Sequence, residues 1–294
     1  MSPKIKKLSW SQILDLVKTT FREFLKGESF MHGAALAYYA IFALVPIIYL
    51  AISSVGLILG QERIIEIIAY LMESNMGIKD VSTFTDLMYK WGIGSGGTLV
   101  MKIVGIVVLL FTSSAMFNSL RNSLNAFFDV EARASKNALI QGIVARGVSV
   151  GIMTILAIIV IVVYFAHSML LSVGDQFLRD GGWLQTALIL FLEHFTIIFI
   201  NFLIFLFVFK YLHDGKMKWK IAFAGSIFTA ILLYLGQLLI NYYLTNFFFA
   251  ADSGVVGTIF AILTWIFYTS QIIFLGAKFT AVYARKIGKP IEPK

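Results

Sequence analysis

The chain contains no cysteine, which excludes disulfides, thiolate metal sites and a cysteine nucleophile together. Histidine is scarce: His32, His167, His194 and His213 are scattered, without the H-x-H or H-E-x-x-H spacing of a metal hydrolase. Neither G-x-S-x-G nor a P-loop occurs, so an enzymatic reading has little to rest on, and neither a metal nor a cofactor is expected. The string GIGSGG at 92 to 97 has the letters of G-x-G-x-x-G. No strand precedes it and an apolar run follows it, so a hinge is the better reading. Charge is the largest deficit. Only 14% of residues are Asp, Glu, Lys or Arg, against about 25% in a soluble domain, and the 33 residues from 29 to 61 contain none.

Apolar residues fill the gap, at 59% of the chain with a mean hydropathy of +0.85. Six charge-poor apolar runs stand out, at about 33–60, 99–119, 147–172, 184–209, 221–250 and 255–277. Each exceeds or approaches the roughly 20 residues a helix needs to cross a hydrocarbon core. The runs are continuous rather than alternating, which favours helices over barrel strands. The expected architecture is an all-α polytopic membrane protein. A cytoplasmic segment (1–28) precedes a six-helix domain (29–284), and a cytoplasmic tail (285–294) follows it. The first 28 residues are too polar for a signal-peptide core, so the first span is expected to act as an uncleaved signal anchor.

The net charge of +8 is distributed by loop. Counted over alternate connections and termini, 19 basic residues fall on one side and 4 on the other, with Lys102 at the edge of the second span. The positive-inside rule then places both termini in the cytoplasm. Topology and anionic lipid account for the basicity, so membrane lipids are expected partners and nucleic acid is not.

Residues 9 to 26 carry Trp10, Ile13, Leu14, Val17, Phe21, Phe24 and Leu25 at helical spacing, with Ser9 and Gln12 at capping-box distance and Gly27 as a stop. Either an interfacial helix on the cytoplasmic leaflet or a lead-in packed on the bundle would have this pattern. Residues 61 to 98 contain two short helical patterns, Ile64, Ile65, Ile67, Ile68 and Leu71, then Phe84, Leu87, Met88 and Trp91. A small helical cap on the outer mouth is expected there. The connection from 121 to 146 mixes aromatic and basic residues that are expected to rest on membrane or neighbouring helices.

Polar residues at membrane depth are costly, and their placement is informative. In the fifth span Tyr234, Gln237, Asn241 and Thr245 share one face; in the sixth Thr264, Tyr268 and Gln271 do, with Lys278 a heptad on. The short turn joining these spans allows the stripes to face each other. Tyr39, Pro46 and Ser53 share a face of the first span, which Pro46 is expected to kink. Tyr39, Pro46, Tyr234, Gln237, Asn241, Thr264, Tyr268 and Gln271 are therefore candidate lining of a substrate pathway, with interhelical hydrogen bonding as the alternative. Glu193 and His194, with Asn201 a heptad beyond His194, form a candidate proton- or ion-coupling group. Gly33, Ala37 and Ala40, Ala222, Ser226 and Ala230, and Gly147 with Gly151 read as packing faces.

GAALAYYAIFALVPIIYL in the first span, SLRNSLNAFF near the second connection and VVGTIFAILTWIFYTSQIIFLGAKFTAVYA near the C-terminus resemble the YihY/BrkB family of bacterial inner-membrane proteins. The AYY motif and the set Trp265, Tyr268, Ser270, Gly276 and Ala277 carry the resemblance most specifically. It implies six helices with both termini inside. Lys278 departs from the pattern, since the family usually has an acid there. Members have carried ribonuclease and virulence labels and suggestions of lipid or solute transport. The residues do not support a ribonuclease, because nothing here could bind the metal ions such chemistry needs. Two functions remain open: a non-ATP-driven transporter or exporter of a lipid or other amphipathic or small solute, and a non-transporting scaffold or regulator of envelope assembly.

Overall fold

The computed structural model describes residues 9–50, 52, 60–76, 82, 85–86, 99–130, 183–247 and 254–293. The expected third span, Ser53, the glycine string at 92–97 and the face Phe84, Leu87, Met88 and Trp91 lie outside them. Seven helices run through the described residues: α1 (Trp10–Lys26), α2 (Ser29–Leu50), α3 (Gln61–Met76), α4 (Leu99–Phe127), α5 (Trp183–Tyr211), α6 (Trp219–Asn246) and α7 (Gly254–Lys286). A two-stranded ribbon pairs β1 (Gly215–Lys216) antiparallel with β2 (Glu292–Pro293). Among the described residues three stretches are long and apolar enough to cross a membrane: Leu190–Tyr211, Trp219–Asn246 and Val256–Lys286. They bear large apolar side chains that a water-soluble protein would bury, such as Phe191, Leu239 and Tyr242, each about two-thirds exposed.

The helices sort into two compact units. The first takes α1, the last turn of α4, α5, the ribbon, α6 as far as Tyr234, and α7 from Phe274. Its α1 opens where the Ser9 amide donates to Gln12 Oε1 (2.9 Å), and it closes where the Gly27 amide donates to the Phe24 carbonyl (3.1 Å). The interior is aromatic. Phe127 stacks on Phe274 with ring centroids 4.9 Å apart, Phe24 lies 6.1 Å from Phe127, and Phe128 meets Phe209 and His213 edge-on. Asn125 at the end of α4 grips the α5–α6 connection at two points. Its Nδ2 donates to Asp214 Oδ2 (2.6 Å) and its Oδ1 accepts from the Asp214 amide (2.8 Å).

In this unit α6 and α7 meet through a reciprocal notch. A Cβ on Gly225 would fall 2.0 Å from Thr280 Oγ1, and one on Gly276 would fall 2.0 Å from Thr229 Oγ1. Both threonines are fully buried, and each hydroxyl donates to the carbonyl four residues back, Thr229 to Gly225 and Thr280 to Gly276. The arrangement repeats Gly-x-x-x-Thr on two antiparallel helices. It brings the backbones close while leaving no hydroxyl unsatisfied in an apolar setting. Phe228 stacks on Phe279 at 3.9 Å beside it.

The second unit takes α2, α3, α4 as far as Ser123, α6 from Leu235 and α7 as far as Ile273. The isoleucine pattern after residue 61 is a packed helix: Ile64 and Ile65 of α3 bury against Ile48 of α2 and Ile52. Met72 at the far end of α3 joins Ile240 and Leu244 of α6 and Ala261 and Ile262 of α7. Gly236 admits Ile272, whose Cδ1 would lie 2.1 Å from a Cβ there.

The helix that carries the last apolar run (255–277) does not end with it: α7 continues through Lys278 to Lys286. Lys278 is 5% exposed and the helix carries it inward, because partners described below neutralise its charge.

Candidate functional site

The polar face of the second unit centres on Gln271. Its Nε2 donates to the Ser29 carbonyl at the start of α2 (3.1 Å), tying α7 to α2. Gly33 makes this contact sterically allowed, since a Cβ there would lie 2.0 Å from Gln271 Nε2 and 2.7 Å from Ser270 Oγ. The small residue read from the sequence as helix packing is therefore the floor on which a carboxamide lies. Gln271 Oε1, Ser29 Oγ and Trp265 Nε1 are buried and without a hydrogen-bond partner among the described residues. Leaving such an atom unsatisfied costs about 1–3 kcal/mol. His32, one residue before Gly33, places Nδ1 2.9 Å from Ser123 Oγ of α4.

The other pathway candidates in this unit distribute as follows. Tyr39, Gln237, Asn241, Thr264 and Tyr268 are all half-buried. Tyr39 meets Tyr38 edge-on at 5.7 Å, Asn241 Oδ1 accepts from Thr245 (3.1 Å), and Tyr268 packs on the Met72–Ile240 cluster. The α2 helix runs through Pro46.

Tyr234 belongs to the first unit, where its hydroxyl lies 2.8 Å from His194 Nδ1 and the rings meet edge-on at 5.7 Å. A pathway candidate and a coupling candidate are thus one hydrogen-bonded pair, a pairing that helical spacing within single spans could not reveal. His194 is exposed and Asn201 half-buried.

The same unit holds a charge cluster that the sequence reading did not assemble. Lys278 Nζ donates to Asp129 Oδ1 (2.7 Å) and lies 4.0 Å from Glu23 Oε2. Arg285 bridges the same two carboxylates, Nη1 to Asp129 Oδ2 at 2.9 Å and Nη2 to Glu23, and Lys286 pairs with Asp15. Two carboxylates of α1 are thereby fastened to the last turn of α7. The only legible signal was Lys278 itself, an isolated cation beside an apolar run.

Lys286, by hydrogen bond and then by charge, holds the Asp15 carboxyl below its ordinary range. A depressed folded-state value means that the pairing contributes fully above the unfolded value of about 3.9 and is lost only as pH falls through the lower, folded one. We expect a nitroxide at position 19 of α1 to keep its mobility from neutral pH down to about 4 and to loosen only below that. With Asp15→Asn, position 19 should be looser already at neutral pH.

Lipid-length apolar helices, outward-facing aromatic and aliphatic side chains and polar groups held between helices define a helical membrane protein. The chain belongs to the family described as virulence factor BrkB, whose profile matches residues 20–294. YfkH of Bacillus subtilis (strain 168), described as ribonuclease-like, is 25% identical over 289 residues, 95% of this chain and 98% of that one. A UPF0761 membrane protein of Glaesserella parasuis serovar 5 (strain SH0165) is 23% identical over 186 residues, 62% of this chain and 61% of that protein. No solved structure matches.

Proposed function

We propose that the protein is a six-span transporter or exporter of the bacterial cytoplasmic membrane, with both termini inside. Its cargo would be a lipid or another amphipathic or small solute, moved without ATP hydrolysis along a polar face formed by α2, α6 and α7. The observation that carries this is the Gln271 group. A carboxamide oxygen and the Ser29 hydroxyl, buried together among apolar helices, leave hydrogen-bonding capacity that a polar headgroup or hydrated solute can take up in passing. Tyr39, Gln237, Asn241, Thr264 and Tyr268 extend the polar character along the same three helices. His194 with Tyr234, and Glu193 and Asn201 on the same helix, is the candidate coupling group if movement is ion-driven. The reading assigns no catalysis, and in particular no ribonuclease activity, despite the description carried by YfkH.

Purified protein in liposomes should accelerate the redistribution of labelled phospholipid or solute. Gln271→Leu should lower that rate about tenfold. Gly33→Ala should lower it as well, because the added methyl displaces the carboxamide without changing its chemistry. Wild-type protein that moves none of these probes, with a cellular phenotype that survives Gln271→Leu, would defeat the proposal in favour of the scaffold reading.

A further inference from the structure

Helix α1 is amphipathic in a way that its packing does not use up. The side chains it buries are Leu16, Thr20 and Phe24, with Phe24 on Phe127. Leu14, Val17, Phe21 and Leu25 form a separate stripe at i, i+3, i+7 and i+11 and are each about half exposed or more. Along one flank of that stripe run Lys18, Arg22 and Lys26 at i, i+4 and i+8, all exposed and without an ion pair among the described residues. Asp15 shares the face of this row, close enough for the charge of Arg22 to act on its carboxyl, but the ion pairs of the helix's acids are made with α7. Asp15 and Glu23 are taken by Lys286 and Arg285.

Those ion pairs also fix the height of the helix. Arg285 and Lys286 are the last two residues of α7, whose apolar span begins at Val256. A helix fastened to the end of a spanning helix sits at the level where hydrocarbon gives way to headgroups. An aromatic and cationic grouping at the matching ends of α5 and α6 is of the kind found at that level: Trp219 meets Tyr211 edge-on at 6.1 Å and lies under Lys210 Nζ at 5.2 Å. At such a depth an exposed stripe of Leu, Val and Phe enters acyl chains, while a flanking row of cations stands among phosphates.

We propose that α1 is a lipid-recognition helix: Leu14, Val17, Phe21 and Leu25 insert into one leaflet, and Lys18, Arg22 and Lys26 select anionic phospholipid headgroups. The surface is independent of the transport reading and stands if that reading fails. Charge complementarity fixes the occupant, since three exposed cations, none in an ion pair among the described residues, beside an apolar stripe match a phosphatidylglycerol-type headgroup over its own acyl chains.

The absence of cysteine makes single-site labelling straightforward. The full chain is placed in nanodiscs of equal parts phosphatidylcholine and phosphatidylglycerol, with a nitroxide at Phe21→Cys or Gln12→Cys. The Phe21 label should be relaxed by oxygen and shielded from a water-soluble nickel chelate; the Gln12 label should show the reverse. Spin-labelled phosphatidylglycerol should be enriched around the protein over phosphatidylcholine. The combined variant Lys18→Gln, Arg22→Gln, Lys26→Gln should lower that enrichment about fivefold, the effect of roughly one surface cation's worth of attraction even if the three share lipids. Unchanged enrichment in this surface variant overturns the headgroup assignment. Nickel exposure at Phe21 overturns insertion, and shielding from both reagents means that another protein or a second copy covers the stripe, which overturns the proposal as well.

Discussion

Gly276→Leu is expected to leave little or no folded protein, seen as loss of the monodisperse peak in detergent and of a cooperative thermal transition. The reason is the notch between α6 and α7. Even the first carbon of a side chain at 276 would lie 2.0 Å from Thr229 Oγ1 and 2.9 Å from Thr229 Cβ. The obstacle is a buried threonine whose hydroxyl is committed to the Gly225 carbonyl, and whose neighbour Gly225 faces Thr280 at the same 2.0 Å. Displacing one threonine therefore disturbs the other. Overpacking by a single methyl costs about 1–3 kcal/mol, and a leucine adds three more carbons where there is no space. Against a total stability of about 5–15 kcal/mol, that is the difference between a stable and an unstable chain. Gly276→Ala should be milder, and adding Thr229→Gly should recover much of its loss by removing the obstacle. Full recovery is not expected, because glycine within a helix costs about 1 kcal/mol relative to alanine. A Gly276→Leu protein as stable as the parent would mean that the two helices do not approach through this face.

How much of this could be read from residue order depends on the range of the interaction. The α1 boundaries follow from Ser9, Gln12 and Gly27, all within a few positions of the helix they delimit. The α3 helix follows from the isoleucines at 64, 65, 67 and 68, because burial of one face leaves a periodic record. Apolar runs similarly mark α5, α6 and α7. The relations between helices leave no such record. Gly-x-x-x-Thr occurs in both of the last spans, but the alanine and serine positions nearby, Ala222, Ser226 and Ala230, are equally good small-residue faces. Only the backbone approach singles out Gly225 and Gly276. The burial of Lys278 beyond the last apolar run leaves no record for a related reason: hydropathy treats it as a solvated charge, whereas its solvation is supplied by Asp129, 149 positions away in sequence. Gln271 was legible as a polar residue at depth; its attachment to the Ser29 carbonyl over Gly33, and the pairing of His194 with Tyr234, belong to tertiary structure alone.

Asp129→Asn is expected to destabilise the protein more than Lys278→Met, although both remove the same ion pair. The two partners differ in exposure: the Lys278 side chain is 6% accessible and that of Asp129 is 43%. Loss of the carboxylate strands a buried ammonium with Glu23, 4.0 Å away, as its nearest remaining anion among the described residues. The cost of an undercompensated buried charge is expected at about 2–3 kcal/mol. Loss of the ammonium leaves Asp129 in partial contact with water and still bonded by Arg285. Methionine fills the lysine's volume without needing solvation, so its effect should lie within about 1 kcal/mol of zero. Asparagine is the right replacement for a second reason. Asp129 sits at φ 57°, in the left-handed region, which asparagine tolerates and which would cost alanine about 1–2 kcal/mol unrelated to charge. The decisive measurement is the double variant. Asp129→Asn together with Lys278→Met removes the stranded charge along with its partner, so it should be more stable than Asp129→Asn alone. Thermal or denaturant unfolding of the four proteins in one detergent reads the cycle. A double variant less stable than either single one would mean that Lys278 is held by something other than Asp129, and that the extension of α7 to Lys286 does not depend on this pair.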